Sequence, residues 1–154
     1  MISCNRNLDS RTMDLKLSKT DSVSIVEKVL AATDAFANAN NKLDAKGVTE
    51  FWHSRPEFVL IENDIKYPSW DSIYSNCVRF YSSKIDSTNL VWLERNILPL
   101  SKTSASLFGS YEIYIKYSSG TIIHAIPFYS ALLTKVDDKW KVLRGHESYK
   151  LLDK

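Results

Sequence analysis

The chain has little of what would cross-link it, charge it or anchor it. Only two cysteines, four glycines and four prolines occur among 154 residues. Cys4 and Cys77 lie far apart, one in a polar leader and one in a predicted helix, so a disulfide framework or a zinc site finds no support in their spacing. Cys77 reads as a small buried hydrophobe. Charge of one sign is also lacking. Twenty basic residues are intermixed with 18 acidic ones for a net +2, which leaves no basic stripe for a phosphate backbone and argues against nucleic acid as a partner. No apolar run approaches the roughly 18 residues of a membrane span. A glycine-rich phosphate loop, a nucleophile elbow and metal-ligand spacing are all absent, so neither a cofactor nor a metal is expected.

What is present is an ordinary globular composition, 44% hydrophobic and 25% charged, with four Trp, eight Tyr and six Phe. Rings at that level fill a core or wall a ligand cavity. The length suits one domain burying about 68–70% of its unfolded surface. Three divisions are expected: a flexible polar leader over 1–20, a single domain over 21–150, and a short tail over 151–154. Within the leader, Met1-Ile2-Ser3-Cys4 resembles the end of a bacterial lipoprotein signal, although the charged and apolar segments that should precede it are missing. A cytoplasmic location is expected, or the cell envelope if Cys4 is lipidated.

From Asp21 the apolar spacing turns helical. Val23, Val26, Val29, Leu30, Phe36 and Ala37 recur at three- and four-residue steps, with Ser24 and Glu27 at capping-box spacing, until the Asn-rich 38–41 stretch. Asp44 caps a short second helix that carries Phe51 and Trp52 inward and stops before Pro56. Phe58–Ile61 and Ile65–Tyr67 flank Asn63-Asp64 as a small hairpin. Ser69 caps a third helix with Trp70, Ile73, Tyr74, Cys77, Phe80 and Tyr81 on one stripe.

After Ser83 the sequence alternates as strands do, in four long segments: 88–100, 104–117, 121–136 and 139–149. Short turns make neighbours antiparallel, and strands so long must bend. Gly109, Pro127 and Gly145 are the expected bend points. On the last strand, period two places Trp140, Val142, Arg144, His146 and Ser148 on one face, which turns His146 inward. The segment 121–136 is apolar on both faces, which asks for a second covering surface.

This order of elements, ending in Trp140-Lys141-Val142-Leu143-Arg144-Gly145-His146-Glu147-Ser148, resembles the nuclear transport factor 2-like superfamily, and within it the SnoaL-like and ketosteroid-isomerase-like proteins. The resemblance covers about Ser22 to Tyr149. It implies an α+β fold in which three N-terminal helices pack on a strongly curved, mixed but mostly antiparallel sheet, a cone with a central pocket. It also implies a homodimer through the outer face of the sheet.

Candidate catalytic residues are His146 and His124, which can exchange a proton near neutrality, and the strand carboxylates Glu94 and Glu112. Glu62 and Glu147 are the other strand carboxylates, and burial would raise the pKa of any of the four toward that of a general base. Alternation puts Glu94 with Trp92 and Glu112 with Phe108 and Tyr114, while His53 reads as solvated. The expected cavity wall is Trp52, Tyr67, Trp70, Tyr74, Trp92 and Phe128, with His146. The resemblance suggests dehydratase-like chemistry through His124, His146 and Tyr74; no aspartate can be assigned as an isomerase base. The leading expectation is a pocket protein for a small, largely apolar ligand. The alternatives are a small lyase or isomerase working on a cyclic substrate, and a protein-interaction module using the sheet face.

Overall fold

The computed structural model describes residues 17–149 and 152; the expected leader, with Cys4, falls almost wholly outside the described residues. Helix α1 spans Lys19–Asn41, α2 Ala45–Thr49 and α3 Trp70–Tyr81. The strands are β1 Val59–Glu62, β2 Ile65–Tyr67, β3 Ile85–Ser101, β4 Ser104–Tyr117, β5 Ile122–Ala125, β6 Phe128–Val136 and β7 Lys139–Ser148. The path through the sheet is β2-β1-β7-β6-β4-β3, with β5 also on β4. Its pairings are antiparallel except β1 with β7, which is parallel. Among the described residues no helix is long and apolar enough to cross a membrane.

The helix caps follow side-chain chemistry. Ser18, not the Ser24–Glu27 pair, caps α1 by accepting from the Asp21 amide, so the helix starts before the expected boundary at 21 and runs through the whole Asn-rich stretch. Two of those asparagines are tied to the sheet. The Asn41 side chain bonds both the N–H and the C=O of Leu90, and Thr88 donates to the Asn40 carbonyl. That tertiary anchoring outweighs their weak helical preference. Asp44 caps α2, and Ser69 with Ser72 closes a capping box on α3.

The sheet curves because its ladder is broken at defined places. On β3 a bulge lies between Trp92 and Glu94, and on the facing strand a Cβ at Gly109 would come within 2.3 Å of the Glu94 carbonyl oxygen. The expected single strand 121–136 divides at Ile126-Pro127, since Pro127 has no N–H for a ladder. On β7 a second bulge leaves Leu143 unpaired, with Leu132 opposite Arg144 and Leu133 opposite Val142.

This last bulge changes the phase of the strand. Trp140 and Val142 are buried, but beyond Leu143 the inner positions are Gly145 and Glu147. His146 is therefore exposed on the outer face, opposite the expected direction. The bulge on β3 acts similarly: Trp92 packs on Tyr111 inside, whereas Glu94 pairs with Ser110 and is exposed.

The core fills the narrow part of the cone between α1, α2 and the concave face. Val29, Val48, Phe58, Leu107, Leu133 and Val142 are essentially inaccessible, each contributing about 1.5–3 kcal/mol by burial. Phe36 packs against Phe51 and Trp52 at centroid distances of 5.0 and 5.6 Å, and Trp92 meets Tyr111 edge-on at 5.2 Å.

Candidate functional site

At the wide end the concave face and the helices leave a cavity of about 360 Å³, toward the lower end of the range of about 300–1,000 Å³ common for small-molecule sites. Ile113, Ile115, Ile123 and Ala125 form its sheet wall; Trp52, Ile73 and Phe80 form much of the opposite side. A wider cleft of about 690 Å³ runs outside, along α1 and α2, but its charged groups include Lys139 and Glu50, which pair with each other. It presents nothing comparable to what the inner cavity holds.

That cavity contains two carboxylates. Glu62 ends β1, Glu147 lies near the end of β7, and the parallel register places them directly opposite each other on the inner face. Adjacent strands are about 4.8 Å apart, so the two side chains emerge side by side. The sequence enforces this locally. Asn63, in the left-handed conformation that asparagine tolerates, donates its N–H to the Glu147 carbonyl at 2.8 Å and accepts from the Tyr149 amide at 2.9 Å. Gly145 permits close approach of the strands: a Cβ there would lie 2.8 Å from Leu60 Cδ1 and 3.1 Å from the Tyr129 hydroxyl.

Electrostatics separates the two acids. Loss of solvation chiefly, and the neighbouring Glu62 charge next, push Glu147 up to about 8, against the Tyr111 hydroxyl, which hydrogen-bonds its ionised form. Burial also raises Glu62, opposed by the hydroxyls of Tyr67 and Tyr149, the latter at a long 3.5 Å. Of the two, Glu147 is the one whose proton is held at neutral pH. The phenols respond in kind: burial and then Glu62 raise Tyr67 to about 12, while burial and then Glu147 raise Tyr111. Burial pushes the Cys77 thiol up to about 12, so it stays protonated and is a poor nucleophile.

The expected site residues are divided by the sheet. Trp52 lines the cavity. Tyr67 is buried beside Glu62, and Trp92 lies behind Tyr111; neither is part of the wall. Trp70 and Tyr74 stack on each other at 5.1 Å, Trp70 donating to the Thr49 carbonyl, and secure α3 to α2 instead of facing the cavity. Phe128 is 54% exposed on the convex face, as its even position on β6 dictates. His124 and Glu112 are also on that face, joined at 2.8 Å, with Tyr114 stacked on the imidazole at 4.1 Å. Glu94 and His146 face outward as described, so no histidine stands with the cavity carboxylates among the described residues. His53, expected in solvent, is buried; its Nδ1 accepts from the Arg55 amide, and burial followed by the Arg55 charge lowers its pKa.

A cone of this topology with paired acids at its open end defines an α+β pocket domain. No protein-family model matches the chain, and no curated protein does. Solved structures do match. A protein assigned as a scytalone dehydratase from Novosphingobium aromaticivorans superposes with a TM-score of 0.74 at 11% identity, over 88% of this chain and 89% of that one. A protein assigned as a dehydratase of the nuclear transport factor 2-like family, from Streptomyces avermitilis, gives 0.71 at 13%, over 84% and 99%. A nuclear transport factor 2-like protein of unknown function from Shewanella oneidensis gives 0.64 at 18%, over 80% and 98%. The chain has the nuclear transport factor 2-like fold.

Proposed function

We propose that this protein is a lyase or isomerase that moves a proton on a small, largely apolar substrate, with Glu62 as base and Glu147 as acid. The observation that carries the reading is the in-register pair of carboxylates inside an apolar cavity, one titrating near neutrality. Two titratable groups whose environments separate their pKa values are the arrangement acid–base catalysis requires.

In the step this arrangement supports, the Glu62 carboxylate takes a proton from a carbon next to a carbonyl, or from the carbon adjacent to one that bears a leaving hydroxyl. Glu147 gives its own proton to the oxygen. Returning the Glu62 proton at a different carbon, with Glu147 regaining its own, completes an isomerisation. Loss of the protonated hydroxyl as water completes an elimination, after which proton exchange with solvent restores the pair. Tyr111, turned toward Glu147, holds that acid in place. The same fold in two proteins assigned as dehydratases supports the reading by analogy.

The test needs no known substrate. Cyclic ketones and related carbon acids are incubated with the protein in D₂O and exchange is followed by NMR. Wild type should exchange an activated C–H and Glu62→Gln should not. Ligands that bind without exchange in any case would make the cavity a binding site without turnover.

We also propose that two copies pair through the convex face. Leu98, Phe108, Phe128 and Leu132 are exposed on β3, β4 and β6 of this one surface, more apolar side chain than a solvated sheet face ordinarily carries. Sedimentation showing a monomer at micromolar concentration would reject it.

A further inference from the structure

The cavity's charge inventory narrows the substrate class further, on the reading that this cavity is the substrate site. Glu62 and Glu147 line it, and among the described residues no lysine, arginine or histidine does. Of the other titratable groups facing it, Cys77 on α3, Tyr81 at its end, Tyr111 on β4 and Tyr149 are all held in their neutral forms by burial. Two basic groups of the sheet are committed elsewhere: Arg95 pairs with Asp34 on α1, and Lys135 with Asp138. The cavity thus holds two carboxylates with no cationic side chain among its described lining residues to balance them.

A second observation points the same way. Asn40 is nine-tenths buried and lines the cavity; its amide nitrogen donates to the Tyr81 hydroxyl at 3.0 Å, but its Oδ1 has no partner among the described residues. A buried acceptor without a donor is costly, and a ligand that brings N–H groups relieves that cost. The aromatic lining adds ring faces, of Trp52 and Tyr111 among others, that attract a cation.

We propose that the substrate or ligand is a compact apolar amine bound as its ammonium, with the nitrogen against the Glu62–Glu147 pair and its hydrocarbon against Ile113, Ile115 and Ile123. A cation is attracted by the carboxylates and supplies the donors that they and the Asn40 Oδ1 accept from. An anion of the same shape would be repelled inside a poorly screened cavity.

The test uses three probes of one shape on the full chain: 1-adamantylamine, 1-adamantanol and 1-adamantanecarboxylate, titrated at pH 7 by tryptophan fluorescence and thermal shift. The amine should bind at least tenfold more tightly than the alcohol, and the carboxylate least. In Glu62→Gln, with circular dichroism confirming the fold, the amine should lose that tenfold advantage while the alcohol is unaffected. Glu62→Ser, which also removes that carboxylate, serves in the same way should the first variant not fold. Carboxylate binding equal to amine binding, or an amine preference that survives both substitutions, overturns the proposal. So does carbon-acid exchange by the wild-type protein without any amine preference, an outcome that leaves proton transfer by Glu62 standing. Amine selectivity without exchange on any substrate has the opposite meaning: the ligand class holds and the catalytic reading fails.

Discussion

The two faces of the sheet use the same residue types for opposite ends. On the concave face Glu62 and Glu147 share a cavity that no cationic side chain lines among the described residues, and their ionisation is held back. On the convex face Glu112 sits between the His124 ring and the Tyr114 hydroxyl, partly in water. A carboxylate beside a second carboxylate and away from solvent becomes a proton reservoir. The lesson is that chemistry here depends on which face a residue occupies, and the face is set by single-residue bulges.

The sharpest break in the comparison is functional. Glu62→Gln should reduce carbon-acid exchange by about 10²–10⁴-fold, the usual weight of a general base, whereas His124→Ala and His146→Ala should leave it within about twofold. NMR exchange rates measured side by side decide it, and a loss on the convex face equal to that on the concave one would move the site.

Curvature comes next. Gly109→Ala forces a methyl onto the Glu94 carbonyl, backbone against backbone, and should cost about 1–3 kcal/mol, read as a lowered denaturant midpoint. An unchanged midpoint would mean that the bulge at Leu93 is not held in place by this contact.

The acid pair makes stability depend on pH with a definite sign. Glu147 in the unfolded chain releases its proton near 4.5 and in the folded chain near 8, so between those values the unfolded state binds fewer protons and stability falls as pH rises. The slope contributed by this group is at most about 1.4 kcal/mol per pH unit. Glu147→Gln should flatten the profile over pH 5–8, measured by denaturant titration; a profile as steep as wild type would remove Glu147 as its cause.

The smallest effect belongs to the apolar convex surface. Phe128→Ser changes a side chain that is already 54% exposed and should alter monomer stability by no more than about 0.5 kcal/mol, while weakening self-association in sedimentation.

Much of the fold was legible because apolar periodicity and capping chemistry are local. The three helices, the hairpin of β1 and β2, and the long strands all follow from spacing that neighbours enforce. Gly109 and Pro127 were identifiable as places where the ladder yields, because one lacks a Cβ and the other an N–H, whereas Gly145 allows a close approach and the bulge on β7 falls at Leu143. The site was far less legible. Glu62 and Glu147 could be named as strand carboxylates, but strict alternation along β7 sends His146 inward and Glu147 outward, and β1 carries no signal that it will pair in parallel with a strand some 80 residues later.

By itself the sequence determined the elements, their order and the amphipathic faces that must be buried, since these depend on residues a few positions apart. Only the tertiary structure decided which carboxylates meet, because that depends on Leu143 being left out of the ladder and on Glu62 falling opposite Glu147. One unpaired residue reverses every side chain beyond it at no cost to the local pattern, so the phase of a bulged strand is fixed by what it packs against.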